Sequence, residues 1–102
     1  MNIKKIFDFS DHVIVITGAA GLLGSEYANG FCQAGANVVL ADINLKKCKK
    51  LAKQLQSKFD VEILTTKLDV TNPESIKKMV NQVMKKFSKI DVLVNNAIFP
   101  EI

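Results

Sequence analysis

The 102-residue sequence predicts an α/β fold, a doubly wound parallel sheet of four strands in the order 3-2-1-4 with three helices, and a partial one. Three observations carry this. Short apolar runs alternate with amphipathic helical stretches along the whole chain, which is the pattern of right-handed βαβ units. The runs are apolar at successive positions rather than at alternate ones, as strands covered on both faces are. The first run, Val13–Thr17, passes directly into a turn with glycines at 18, 21 and 24, followed by a helical pattern.

Taken in order, Val13–Thr17 is the first strand. A helix over Leu22–Ala34 follows, with Leu23, Ala28, Phe31 and Cys32 as its apolar stripe, and Gly35 stops it. Asn37–Ala41 is the second strand, closed by Asp42. Asn44 is placed to cap a helix running to about Lys58, with Leu45, Cys48, Leu51, Ala52 and Leu55 on one side. Val61–Leu68 reads as the third strand. Thr71 or Asn72 then caps a helix whose first turn holds Pro73, where a missing N–H costs nothing. Its stripe of Ile76, Met79, Val80, Val83, Met84 and Phe87 is the cleanest period in the chain, and Asp91–Asn95 is the fourth strand. In this strand order a ligand crevice lies between strands 1 and 4.

Composition narrows the function. The chain is 48% hydrophobic and 24% charged, which suits a globular core and argues against disorder. Its net charge of +4 raises the question of nucleic acid. All the basic residues are lysine, and ten of them, Lys46, Lys47, Lys49, Lys50, Lys53, Lys77, Lys78, Lys85, Lys86 and Lys89, fall in or beside two amphipathic helices, where they fill a solvated face. Bidentate guanine readout and aromatic interleaving are missing, so no nucleic-acid partner is expected. No apolar run approaches membrane-spanning length, and the first residues, with Lys4, Lys5 and Asp8, do not form a signal peptide. Cys32 and Cys48 lie on apolar helix faces without a CxxC spacing. Free buried thiols, and hence a cytoplasmic location, are expected.

The glycine turn is the strongest signal of chemistry. Gly18 lets the chain turn sharply out of the strand, Gly21 lets backbone approach a phosphate, and Gly24 lets the helix pack tightly on the strand. The helix start carries about half a positive charge on unpaired N–H groups, so a diphosphate can be held without arginine. The backbone of Gly18, Ala20, Gly21, Leu22, Leu23 and Gly24 is the predicted cradle. Asp42 closes the second strand, eighteen residues after Gly24, where a carboxylate can accept from both adenosine ribose hydroxyls. The same carboxylate would repel a 2′-phosphate, which favours NAD over NADP. Asp42 at this position also suits a plain turn or helix-capping aspartate.

In these residues the chain resembles the N-terminal part of the short-chain dehydrogenase/reductase family, whose dinucleotide-binding domain is Rossmann-type. The resemblance runs from Phe9 to Ala97 and rests on Thr17-Gly18-Ala19-Ala20-Gly21-Leu22-Leu23-Gly24, Asp42, Leu68-Asp69-Val70 and Asp91-Val92-Leu93-Val94-Asn95-Asn96-Ala97. It implies that Asp69 hydrogen-bonds the adenine amino group, that Val70 lines the adenine, and that Asn96 and Ala97 sit beside the cofactor. Without the family, Asp69 reads equally as a turn residue, and Asn95 and Asn96 as the end of a strand. Two departures stand out. Leu22 holds the place of a glycine in the standard branch, and the Gly18, Gly21, Gly24 spacing is that of the extended branch of nucleotide-sugar epimerases and dehydratases. Ile98 stands where the family has glycine after Asn-Asn-Ala, bringing a bulky side chain near the cofactor path.

The family's hydride transfer uses a serine and a Tyr-x-x-x-Lys pair, the tyrosine as acid/base. Tyr27 is the single tyrosine, Phe31 stands four residues on, and the expected role of Tyr27 is packing; His12 is expected at the surface. No catalytic and no metal-binding residue is therefore expected in residues 1–102. They read as the N-terminal portion of one dinucleotide-binding domain, from an oxidoreductase moving hydride between NAD and an alcohol or carbonyl, and inactive alone. The alternatives are a stand-alone nucleotide-binding or regulatory module and a fragment of an extended-branch epimerase or dehydratase. The apolar fourth strand is expected to be an open edge that invites self-association or a partner supplying the missing half.

Overall fold

A computed structural model describes residues 6–97. Its four strands are β1 (Val13–Thr17), β2 (Asn37–Asp42), β3 (Ile63–Lys67) and β4 (Val92–Val94). Three helices alternate with them, α1 (Leu22–Gln33), α2 (Leu45–Lys58) and α3 (Pro73–Phe87). All strand pairs are parallel and the order is β3-β2-β1-β4, with Val15 beside both Val39 and Leu93.

The sheet faces divide by the period-two alternation of strand side chains. Ile14, Ile16, Val38 and Leu40 meet Ala28 and Cys32 of α1 and Cys48, Ala52 and Leu55 of α2. Val13, Val15, Val39 and Ala41 point the other way, toward Met79 and Val83 of α3. Every β1 residue is buried, as its unbroken apolar pattern requires. Asp91, just before β4, makes two bonds to β1: its N–H donates to the Val13 carbonyl at 2.9 Å, and its carboxylate accepts from the Val13 N–H at 2.7 Å. That bond, with the Lys89 ammonium at 3.1 Å, holds the Asp91 carboxyl below the usual carboxylate range.

Several expectations need adjusting. β3 is shorter than Val61–Leu68 and β4 shorter than Asp91–Asn95: the Glu62 N–H donates to the Asn37 side chain, while the Leu68 and Asp91 N–H groups still reach the Asp42 and Val13 carbonyls from just outside the strands. The α3 stripe is only half used. Met79 and Val83 are buried, while Ile76, Val80 and Met84 remain 36–45% exposed, because α3 alone covers its side of the sheet among the described residues. Leu93 of β4, on that same face, is 59% exposed. Tyr27 is partly covered, at 40% exposure, and His12 is half-buried, its ring edge-on to Phe9. Cys32 and Cys48 are free and buried, and burial pushes both thiols up to about 11, with the Asp42 charge adding to the effect at Cys48. Such thiols are inert at neutral pH. Among the described residues no helix is long and apolar enough to cross a membrane.

Candidate functional site

At the C-terminal edge of the sheet the chain leaves β1 through Gly18, at φ +65°, a backbone conformation that a side chain disfavours. A Cβ there would also lie 2.9 Å from the Ala97 Cα. The turn is pinned to β2 by two successive N–H groups. Ala19 donates to the Ala41 carbonyl at 3.2 Å, and Ala20 donates to the Asp42 carboxylate at 3.0 Å. Gly21 then donates back to the Gly18 carbonyl and serves as the N-cap of α1, with no side chain to satisfy the first turn. The N–H groups of Leu22, Leu23 and Gly24 stand ahead of the helical ladder, where a helix has no internal acceptor for them.

Gly21 and Gly24 are glycines for opposite reasons. A Cβ on Gly24 would run into the Gly18 carbonyl oxygen and sit 2.8 Å from the Ala19 Cα, so the helix could not seat on the turn. A Cβ on Gly21 would meet only the Gly18 oxygen, at an ordinary 3.4 Å, and its φ of −77° suits any residue. Nothing inside the protein requires glycine at 21. The room is on the cavity side.

That cavity has a volume of 660 Å³ and is lined by Gly18, Gly21, Leu22, Leu23, Asp42, Ile43, Leu68, Asp69, Val70, Thr71, Asn96 and Ala97. The structure thus gathers nine of the eleven predicted site residues around one space. Ala20 and Gly24 are outside the lining: Ala20 is engaged with Asp42, and Gly24 is pressed against the turn. Ile98 lies outside the described residues. Leu23, 58% exposed, does not join the apolar stripe of α1 as its periodicity suggested; with Leu22, 83% exposed, it borders the cavity instead.

The walls are held by short polar contacts. The Asp42 carboxylate accepts from Ala20 through one oxygen and from the Asn44 N–H, at 2.9 Å, through the other. Asp69 accepts from both the hydroxyl and the N–H of Thr71, at 2.7 and 3.0 Å, and these bonds hold its carboxyl below the ordinary carboxylate range. The turn reading of both aspartates is therefore realised in the geometry, and both residues also line the cavity. At the β4 end, the Thr17 hydroxyl accepts from the N–H groups of Asn96 and Ala97 at 2.9 and 3.0 Å, and the Asn96 amide donates to the Gly18 carbonyl at 3.2 Å. Three hydrogen bonds between the ends of β1 and β4 thus fix the side of the cavity opposite Asp42.

The predicted site residues left out Ile43, Leu68 and Thr71 of the lining, and Thr17 behind it. Thr17 carries the one hydroxyl in an otherwise aliphatic strand and is buried, so it needed partners. Ile43 is a 58% exposed apolar side chain in a turn between an aspartate and a capping asparagine, where polar residues are the rule. Both signals were visible in the sequence. Among the described residues no cluster of His, Cys, Asp or Glu could hold a metal ion.

The comparisons with known proteins agree on one family. A family model described as short chain dehydrogenase matches residues 12–100. An NAD-dependent glycerol dehydrogenase of Listeria innocua is 39% identical over 93 residues, which is 91% of this chain and 35% of that protein. Among solved structures, an L-sorbose reductase of Gluconobacter frateurii in complex with NADPH and L-sorbose superposes with a TM-score of 0.88 at 34% identity, over 99% of this chain and 37% of its own. A protein from Haemophilus influenza with bound NAD gives 0.83 at 32% identity, over 90% and 32%. Across eight of the curated relatives it matches, the chain spans 29–47% of their length.

Proposed function

The chain belongs to the short-chain dehydrogenase family, and from that premise we propose that residues 6–97 hold the adenosine and diphosphate portion of NAD as the amino-terminal part of a hydride-transferring oxidoreductase. The carrying observation is the start of α1, which lacks a side-chain cap, has a glycine that no internal contact demands, and opens on the cavity. The Leu22, Leu23 and Gly24 N–H groups would hold the diphosphate, Asp42 the adenosine ribose, and Ile43, Asp69 and Val70 the adenine. Asn96 and Ala97, held by Thr17, would border the dinucleotide on the β4 side. When bound, the nicotinamide supplies or accepts hydride. The proton donor for a carbonyl substrate would come from polypeptide matching the remaining length of the relatives.

NAD is preferred to NADP in this reading. The solved relatives carry NAD in one case and NADPH in another, so the family leaves the choice open. Among the described residues two aspartates and no lysine line the cavity, which leaves a 2′-phosphate beside Asp42 with no cation from that lining. The substrate in this proposal is an alcohol or carbonyl compound. The exposed apolar surface of Leu93, Ile76, Val80 and Met84 supports a further step: it would be covered by that same remaining polypeptide, since the matched region is only 47% and 35% of two of the relatives. The unpaired buried thiols suit a cytoplasmic, reducing location.

Calorimetric titration of the chain with NAD and with NADP tests the proposal. Saturable NAD binding is expected, tighter than NADP, and weakened about ten- to hundredfold in Asp42→Ala. A folded, soluble sample that takes up neither dinucleotide would overturn it.

A further inference from the structure

We infer that Asp42 is a positioning residue for the diphosphate cradle, acting through the Ala20 N–H, in addition to any contact with ribose. This deepens the nucleotide-binding reading and rests on it. Of the N–H groups in the turn, Ala19 finds a β2 carbonyl and Gly21 finds the Gly18 carbonyl, both backbone acceptors. Ala20 alone depends on a side chain, and that side chain comes from a strand 22 positions away. The second carboxylate oxygen is occupied by the Asn44 N–H at the cap of α2. One carboxylate therefore ties the glycine turn, the end of β2 and the start of α2 into a single unit. An amide at position 42 would present one acceptor and one donor to two N–H donors, so the carboxylate chemistry is demanded within the protein itself.

The consequence separates two accounts of the same residue. If Asp42 served only the ribose, its removal would cost nothing to a ligand without ribose hydroxyls. Removing a negative charge beside an anion-binding turn would even strengthen that ligand's binding. If Asp42 also braces the turn, the same removal frees Ala20, lets the following N–H groups diverge, and weakens the diphosphate ligand despite the more favourable charge. The two accounts differ in sign.

The test uses the full chain with ADP and 2′,3′-dideoxyadenosine diphosphate, comparing the native protein with Asp42→Ala and Asp42→Ser. The serine hydroxyl can still accept from the Asn44 N–H two residues on, while being too short for Ala20, so this variant preserves the cap of α2. Amide exchange at Ala20 in the absence of nucleotide is read in parallel. The expected result is faster Ala20 exchange in each variant that folds, and a three- to tenfold weaker affinity for the dideoxy ligand. Equal or tighter binding of the dideoxy ligand by the variants, or unchanged Ala20 protection, overturns the inference. Failure of the native chain to bind ADP overturns the nucleotide-binding reading instead, and the exchange rates still show whether the brace exists.

Discussion

Helices α1 and α3 begin at the same edge of the same sheet, each after a parallel strand, and their first turns are built in opposite ways. The start of α3 is complete in itself. The Asn72 side chain accepts from the Glu74 N–H, Pro73 removes a donor, and Glu74 places negative charge at the positive end of the helix. The start of α1 has Gly21 as its cap, no acidic residue in its first turn, and exposed leucines at its first two positions. The Asn44 cap of α2 follows the α3 plan. The difference teaches what capping excludes. A side-chain cap spends a first-turn N–H that a ligand could otherwise use, and α1 alone among these three helices has no such cap.

The comparison is broken most severely by giving α1 the cap it lacks. Gly21→Asp would accept from the first-turn N–H groups and add negative charge facing a diphosphate. The expected result is about a hundredfold loss of NAD affinity, about 2.7 kcal/mol, with folding stability unchanged or raised by a few tenths of a kcal/mol. A titration and a denaturant melt on the same variant check both halves. A stable variant that bound NAD normally would remove α1 from the site. Next in size is Gly24→Ala. The added Cβ meets backbone that cannot yield, at a cost of about 3 kcal/mol, against roughly 1 kcal/mol of helix propensity regained. The net loss of about 2 kcal/mol should appear in the denaturant midpoint. On the capped side, Asn72→Ala should cost about 1 kcal/mol and leave the affinity for NAD within twofold, because α3 offers nothing to the ligand.

Much of this was legible in the sequence, for identifiable reasons. β1 and β2 are covered on both faces, so unbroken aliphatic runs specify them, and their bounds follow within one residue. Asn44 and Asn72 stand in front of amphipathic periods, so the starts of α2 and α3 could be placed. The positions around the cavity were readable because a phosphate-approaching turn demands residues that packing does not. What could not be read is which apolar residues end up covered. Leu23 fits the α1 period and borders the cavity; Val80 and Met84 fit the α3 period and remain half exposed. Periodicity reports the face of a helix and not what lies against it. Nor does spacing show that the Asp42 carboxylate accepts from Ala20 and Asn44, since that bond depends on how two loops fold over one another.

The smallest expected effect gives the comparison its sharpest form, because it lies within α1 itself. Gly30 is a second glycine in the body of this helix, and a Cβ there would meet nothing within 4 Å. Neither packing nor backbone conformation calls for glycine at 30, so Gly30→Ala should stabilise the chain by about 0.5–1 kcal/mol through reduced freedom of the unfolded state and better helix propensity. NAD affinity should not change. The substitution is the same as Gly24→Ala, in the same helix, six residues further along, and the predicted sign in the denaturant midpoint is opposite. If both variants lost stability alike, α1 would be intolerant of side chains along its length. If they diverge as expected, the demand for glycine belongs to the turn that faces the cavity and ends where the helix settles onto the sheet.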